Sequence, residues 1–205
     1  MQYIELKEQL KNFKIFNLND IRKIEEDFDL RRLNEWQKKN YIKKIRQGFY
    51  IFSDLEINEQ ALFIIANRIH EPSYISLEMA LSFYGFIPEA VYGITSVTSQ
   101  KTKKIKTLVG GFAYRHIKPE LLFCYGLREY DGHHYRMAET EKAVLDYLYF
   151  NSKIKDEESF IGTRFNADEF KKRVNMKKFN KYLAAFNNKA LVRRVKKFLT
   201  YIEHA

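Results

Sequence analysis

Along the first forty positions apolar residues recur at close to helical spacing, and the pattern then switches to alternation. Ile4, Leu6, Leu10 and Phe13 predict a helix over residues 3–13, and Ile21, Ile24 and Phe28 a second over 21–28, with caps offered by the 17–20 segment, Asn17 to Asp20. Leu33 and Trp36, with Leu30 turned inward beside them, predict a third over 30–40, capped by Asp29. Alternation in 41–46 and 49–52 then predicts two strands, and Gln47-Gly48 supplies the positive-φ turn of a tight hairpin. Three short helices ending in a hairpin predict a winged helix-turn-helix in residues 1–55.

After Ser53-Asp54 the period changes again. Helices are expected over 59–69 and, capped by Ser76 and closed by Gly85, over 77–84. Strand-like runs follow at 93–99, 105–109, 112–117, 122–127 and 133–138, with turns at Gly110-Gly111 and Asp131-Gly132, so an antiparallel sheet is the economical expectation. Helices are expected over 139–150, 175–186 and 188–202, the last with Leu191, Val195, Phe198 and Ile202 on one stripe. The fold class is therefore α+β: the winged helix-turn-helix, then a mixed domain over 56–205 with an antiparallel sheet, flanking helices and a helical C-terminus.

A chain of 205 residues that is 45% hydrophobic and 16% aromatic can bury real cores, which excludes a disordered chain. Its net charge of +10 favours a polyanionic partner, and the charge is unevenly placed: +3 in 1–55, −1 in 56–150 and +8 in the basic tail 151–205. The two ends are thus the candidate polyanion surfaces. Cys124 has no second cysteine to pair with, the N-terminus lacks the apolar run of a secretory signal, and no segment approaches a membrane span. A cytoplasmic protein with no membrane contact is expected.

The third helix holds side chains of the types that read DNA and is the candidate recognition helix. Arginine forks onto guanine, Asn and Gln onto adenine, and lysine neutralises phosphate. The outward set is Arg31, Arg32, Asn34, Glu35, Gln37, Lys38 and Lys39, and the hairpin adds Lys43, Lys44 and Arg46. Trp36 is read as core. Elsewhere the chemistry is thin. His70, His116, His133, His134 and Cys124 show no paired-ligand spacing, so neither a metal nor any other cofactor is expected, and Cys124 is read as a buried small hydrophobe in the 121–125 run. Glu139, Glu141 and Lys142, with Asp146 one helical turn on, loosely resemble the acidic and lysine sets of metal-dependent nucleases. The competing reading is a capped helix start with ion pairs along the helix, and that is preferred. No catalytic residue is assigned. Gly110-Gly111 is not followed by the Lys-Ser/Thr of a phosphate loop.

Four segments in order carry a family resemblance: Tyr41-Ile-Lys-Lys-Ile-Arg-Gln-Gly-Phe-Tyr, Ser73-Tyr-Ile-Ser-Leu-Glu-Met-Ala-Leu-Ser-Phe-Tyr-Gly-Phe-Ile-Pro, Ile94-Thr-Ser-Val-Thr-Ser and Ala138-Glu-Thr-Glu-Lys-Ala-Val-Leu-Asp-Tyr-Leu. Together they resemble the AbiEi antitoxin family of bacterial phage-defence loci, over roughly residues 10–150. The resemblance implies a non-enzymatic autorepressor whose winged helix binds double-stranded promoter DNA through the cations named above. It also implies a second domain that counters a nucleotidyltransferase-like toxin in a type IV pair, without a stable complex. The segments 74–85 and 139–148 match as framework. The basic tail falls outside the resemblance, which leaves open neutralisation, a second DNA contact or dimerisation into a homodimer on DNA.

Overall fold

Two apolar clusters organise the chain, and a single hairpin belongs to both. In the computed structural model, which describes residues 1–88 and 92–205, the first helix α1 (Tyr3–Leu10) buries Leu6 and Leu10, one turn apart. It stops three residues short of Phe13, which is exposed, and Ile4 lies within the helix but on its solvent face. The second helix starts earlier than its apolar spacing predicts, at α2 (Leu18–Arg22), because Asn17 and Asp20 close a reciprocal capping box, and it ends before Ile24. Ile21 and Phe28 are buried, but Ile24 lies beyond the helix and is exposed. In α3 (Arg31–Lys38) Leu33 and Trp36 point inward, with Trp36 against the rings of Tyr3 and Phe28. Leu30 precedes the first turn and is exposed, which corrects its expected inward placement.

The hairpin consists of β2 (Ile42–Arg46) and β3 (Phe49–Phe52), with Gly48 at φ +80° in its turn, where an L side chain would be strained. A two-residue strand β1 (Phe16–Asn17) pairs with β3, giving the order β1-β3-β2. The centre strand is therefore covered on both sides. Tyr50 and Phe52 join Leu6, Leu10, Phe16 and Trp36 in the N-terminal cluster, while Ile51, with Ile45 and Ile15, joins the larger cluster beyond.

That second region is built from α4 (Glu59–Ile69), β4 (Ser73–Ile75), α5 (Leu77–Phe83), β5 (Ile94–Thr98), β6 (Lys103–Thr107), β7 (Gly110–His116), β8 (Tyr125–Tyr130), β9 (His133–Ala138) and α6 (Thr140–Phe150). Its sheet runs β6-β7-β5-β4-β9-β8. It is mixed rather than antiparallel: β5 pairs with β7, and β4 with β9, in parallel. Crossovers carry these strands past their sequence neighbours, so a turn-by-turn reading cannot see the pairing. A side chain at Gly93 would strike the Gly111 carbonyl oxygen at 2.9 Å, so a bare backbone is required where β5 meets β7. The run expected as a strand over 122–127 instead pairs only from Tyr125, because Cys124 turns the chain at φ +52°. Cys124 is half-buried there, not sealed in the core.

The C-terminal part adds α7 (Glu157–Gly162), α8 (Ala167–Arg173), α9 (Met176–Ala185) and α10 (Lys189–His204). Asp156, Asn166, Asn175 and Asn188 cap them in turn. The stripe Leu191, Val195, Phe198 and Ile202 is buried as its spacing predicts. Phe198 closes an aromatic cluster with Phe160, Phe165 and Phe170. Among the described residues no helix is long and apolar enough to cross a membrane.

Polar ties cross the seam between the two regions. One terminal nitrogen of Arg68 of α4 donates to both carboxylate oxygens of the buried Asp20 at 2.9 and 3.2 Å, Lys14 pairs with Asp131, and Arg46 donates to the Ile69 carbonyl. His70, next to that carbonyl, packs edge-on against Tyr114 at 4.6 Å, and its pKa is lowered by burial first and by Arg46 and Lys103 after it. The unfolded chain takes up a proton near pH 6.5 while the folded one resists, so this share of stability is present above that pH and is lost on acidification. His133, lowered by its own burial, acts in the same sense. The thermal midpoint is therefore expected to fall between pH 7 and 5, and less steeply in His70→Phe; parallel Tm–pH curves for the two proteins would rule out His70 as a source.

Candidate nucleic-acid interface

The outer face of α3 is a ridge at helical spacing. Arg31, Asn34, Glu35 and Lys38 are all exposed and lie opposite the buried pair Leu33 and Trp36, with exposed Lys39 just past the last turn. Arg31, 86% exposed along its side chain, meets Asp29 through Nε at 3.1 and 3.2 Å, which leaves its terminal nitrogens able to fork onto an acceptor. Asp29 is held below the usual carboxylate range by the Arg31 backbone N–H and then by the guanidinium. Asn34 offers an adenine-type fork, and Glu35 an acceptor of the kind that meets cytosine. Two cations and one carboxylate on a single ridge suit base edges better than a bare phosphate track.

The remaining predicted contacts are tethered. Arg32 is half-buried, donates to the Met1 carbonyl at 2.7 Å and reaches Glu25 at 3.5 Å, so it pins the N-terminus to α3. Gln37 folds back onto the Leu33 carbonyl at 3.0 Å. On the hairpin, Lys43 reaches the Ser53 carbonyl at 3.3 Å, and Arg46 is spent on the seam through Ile69. Lys44 is exposed, as are Lys38 and Lys39, and none of the three has a partner among the described residues. The structure thus brings Arg31, Asn34, Lys38, Lys39 and Lys44 to the surface and assigns Arg32, Gln37, Lys43 and Arg46 polar partners within the protein.

One basic group escaped the charge count. The edge strand β6 carries exposed Lys103, Lys104 and Lys106, preceded by exposed Lys101, inside a region that is nearly neutral overall. Leu108 and Val109, just after β6, share a cleft wall with Lys43 and Ile51, which places that end of the strand beside the hairpin. The run Lys101-Thr-Lys-Lys-Ile-Lys106 was visible as a local cluster, but such lysines also protect a sheet edge from pairing.

Of the second candidate set, Glu141, Lys142 and Asp146 are buried and Glu139 is half-buried. Lys142 and Asp146 of α6 are fully buried and paired, and Asp146 also accepts from the Tyr74 and Ser76 hydroxyls, each at 2.9 Å. Lys142 donates to Tyr74 at 2.8 Å and sits over the rings of Phe186 and Phe123 at 4.8 and 5.1 Å. Burial, then Asp146, drives the Tyr74 pKa well up. Ser76 stands at the N-cap of α5 as expected, yet its hydroxyl serves Asp146 and not the helix. Glu141 accepts from the Asn175 backbone N–H at 2.8 Å, and Glu139 from Tyr182 and Lys178 at 2.9 and 3.1 Å. Lys142 and Asp146 thus join α6 to β4 and α5 in the interior, while Glu139 and Glu141, tied to α9, edge a cavity of about 520 Å³ beside Arg128, Arg173 and Lys178, which Lys142 does not line. Among the described residues no group of three or more His, Cys, Asp or Glu side chains could hold a metal ion. Compared by sequence, neither protein-family models nor curated proteins match this chain.

Proposed function

We propose that this chain is a double-stranded-DNA-binding repressor of the antitoxin type. In this reading α1–α3 and the β2–β3 hairpin form a winged helix-turn-helix, α3 enters the major groove, and Lys44 with the β6 lysines follows the phosphates. The observation that carries it is the uncovered ridge Arg31–Asn34–Glu35–Lys38, held on a helix whose opposite face is anchored by Leu33 and Trp36. The order of elements and the β1-β3-β2 sheet support the same placement, since the hairpin then follows the reading helix directly. The role of the second region in opposing a nucleotidyltransferase-like toxin rests on the four resembling segments alone. No specific observation favours a nuclease using Glu139, Glu141 and Lys142.

A mobility-shift titration with duplex from upstream of the chain's own coding sequence tests the proposal. With about six phosphate contacts, log affinity is expected to fall against log salt with a slope near −5. Specific binding should also survive an excess of unrelated duplex. A flat salt response, or equal affinity for both duplexes, would refute a promoter-reading role.

A further inference from the structure

The seam between the N-terminal helices and the second region opens into a cleft of about 500 Å³, within the range of sites that hold small organic ligands. Three apolar side chains on its walls are exposed to an unusual degree: Phe13 and Ile24 at 39% each and Leu127 at 68%. Cations ring it. Arg68 and Arg136 are answered by Asp20 at 2.9 Å and Glu71 at 3.9 Å, Lys14 by Asp131, whereas Lys23 has no acidic partner among the described residues. His133 and His134 complete the wall, so the basic groups outnumber the acidic ones.

The floor contains Asn67, only 6% exposed. Its Oδ1 accepts from the Arg136 backbone N–H, which fixes the orientation of the amide, and its Nδ2 is buried with no acceptor. An orphan donor of this kind costs free energy unless something answers it. Apolar wall, surplus cation and unanswered donor each ask for a different part of one molecule.

We propose that this cleft binds a mononucleotide: the base against Phe13, Ile24 and Leu127, a ring acceptor on Asn67 Nδ2, and the phosphate toward Lys23 and Arg136. An occupant would touch α2 and α4 at once and so fasten the two regions together. The cleft uses none of the α3 ridge, so its occupancy and DNA affinity are separate readouts.

Calorimetry and thermal melts of the full chain with AMP, GMP, CMP, UMP and inorganic phosphate, each alone, provide the test. At least one nucleotide is expected to bind with Kd of roughly 1 mM or tighter and, at about ten times Kd, to raise Tm by about 3 °C or more. Phosphate alone should bind at least about tenfold more weakly. Lys23→Glu, on an exposed side chain, and Asn67→Asp, which keeps the acceptor for Arg136 but removes the donor, should each weaken nucleotide binding about tenfold or more. No saturable nucleotide binding, phosphate binding as tight as nucleotide, or an unchanged Kd in Lys23→Glu would overturn the proposal.

Discussion

Lys142→Met is expected to destabilise the protein by about 3–5 kcal/mol, enough to consume a large part of a typical domain's stability. The reason is not the lost attraction but the charge left behind. Asp146 is fully buried, and with Lys142 gone its carboxylate keeps only the Tyr74 and Ser76 hydroxyls. Methionine itself fits well, since three aromatic rings already surround the lysine side chain. Neutralising the partner should therefore reverse most of the damage: Lys142→Met with Asp146→Asn is expected to recover about half or more of the loss, because the amide oxygen still accepts from both hydroxyls. Denaturant midpoints of the two single variants and the double variant provide the cycle. A single-variant cost below about 1 kcal/mol would mean that the pair carries no buried charge of consequence.

The second large effect is on DNA. Arg31→Glu with Lys38→Glu reverses both cations of the α3 ridge, and affinity for the duplex upstream of the chain's own coding sequence is expected to fall roughly 100-fold or more if the proposed reading holds. Arg31 and Lys38 are chosen over Arg32 because Arg32 holds the Met1 carbonyl and faces Glu25, so reversing it would disturb α3 from behind. Both chosen side chains are exposed, the helix dipole favours the glutamate in the first turn of α3 and disfavours the one in the last, and the Arg31–Asp29 pair is a surface one, so the melting curve should move little. Unchanged affinity with an intact fold would remove α3 from the reading role.

Much of the fold was legible where the hydrophobic period runs long enough to repeat. The ranges of α4, the β2–β3 hairpin, α6, α9 and α10 lie within a residue or two of their expected places. Short elements were not legible. Neither β1 at two residues nor β4 at three contains a period, and each exists because a distant strand, β3 or β5, supplies its hydrogen bonds. The helices α7 and α8 are likewise too short for a stripe and are marked mainly by their caps Asp156 and Asn166. On α3 and the hairpin, composition located a set of cations but could not say which were already engaged within the protein. The bonds from Arg32 to Met1 and from Arg46 to Ile69 span distances in the chain that no local pattern encodes. The cleft on the seam was invisible for the same reason, since Phe13, Asn67 and Leu127 come from three separate stretches.

The shared middle strand has a practical consequence. Cutting the chain near residue 55 would bare Ile15, Ile45 and Ile51 together on the back of the severed piece, where α4 and its neighbours now shield them. Such a fragment should clump rather than circulate on its own, so trimming by proteases would inactivate the N-terminal half instead of releasing it.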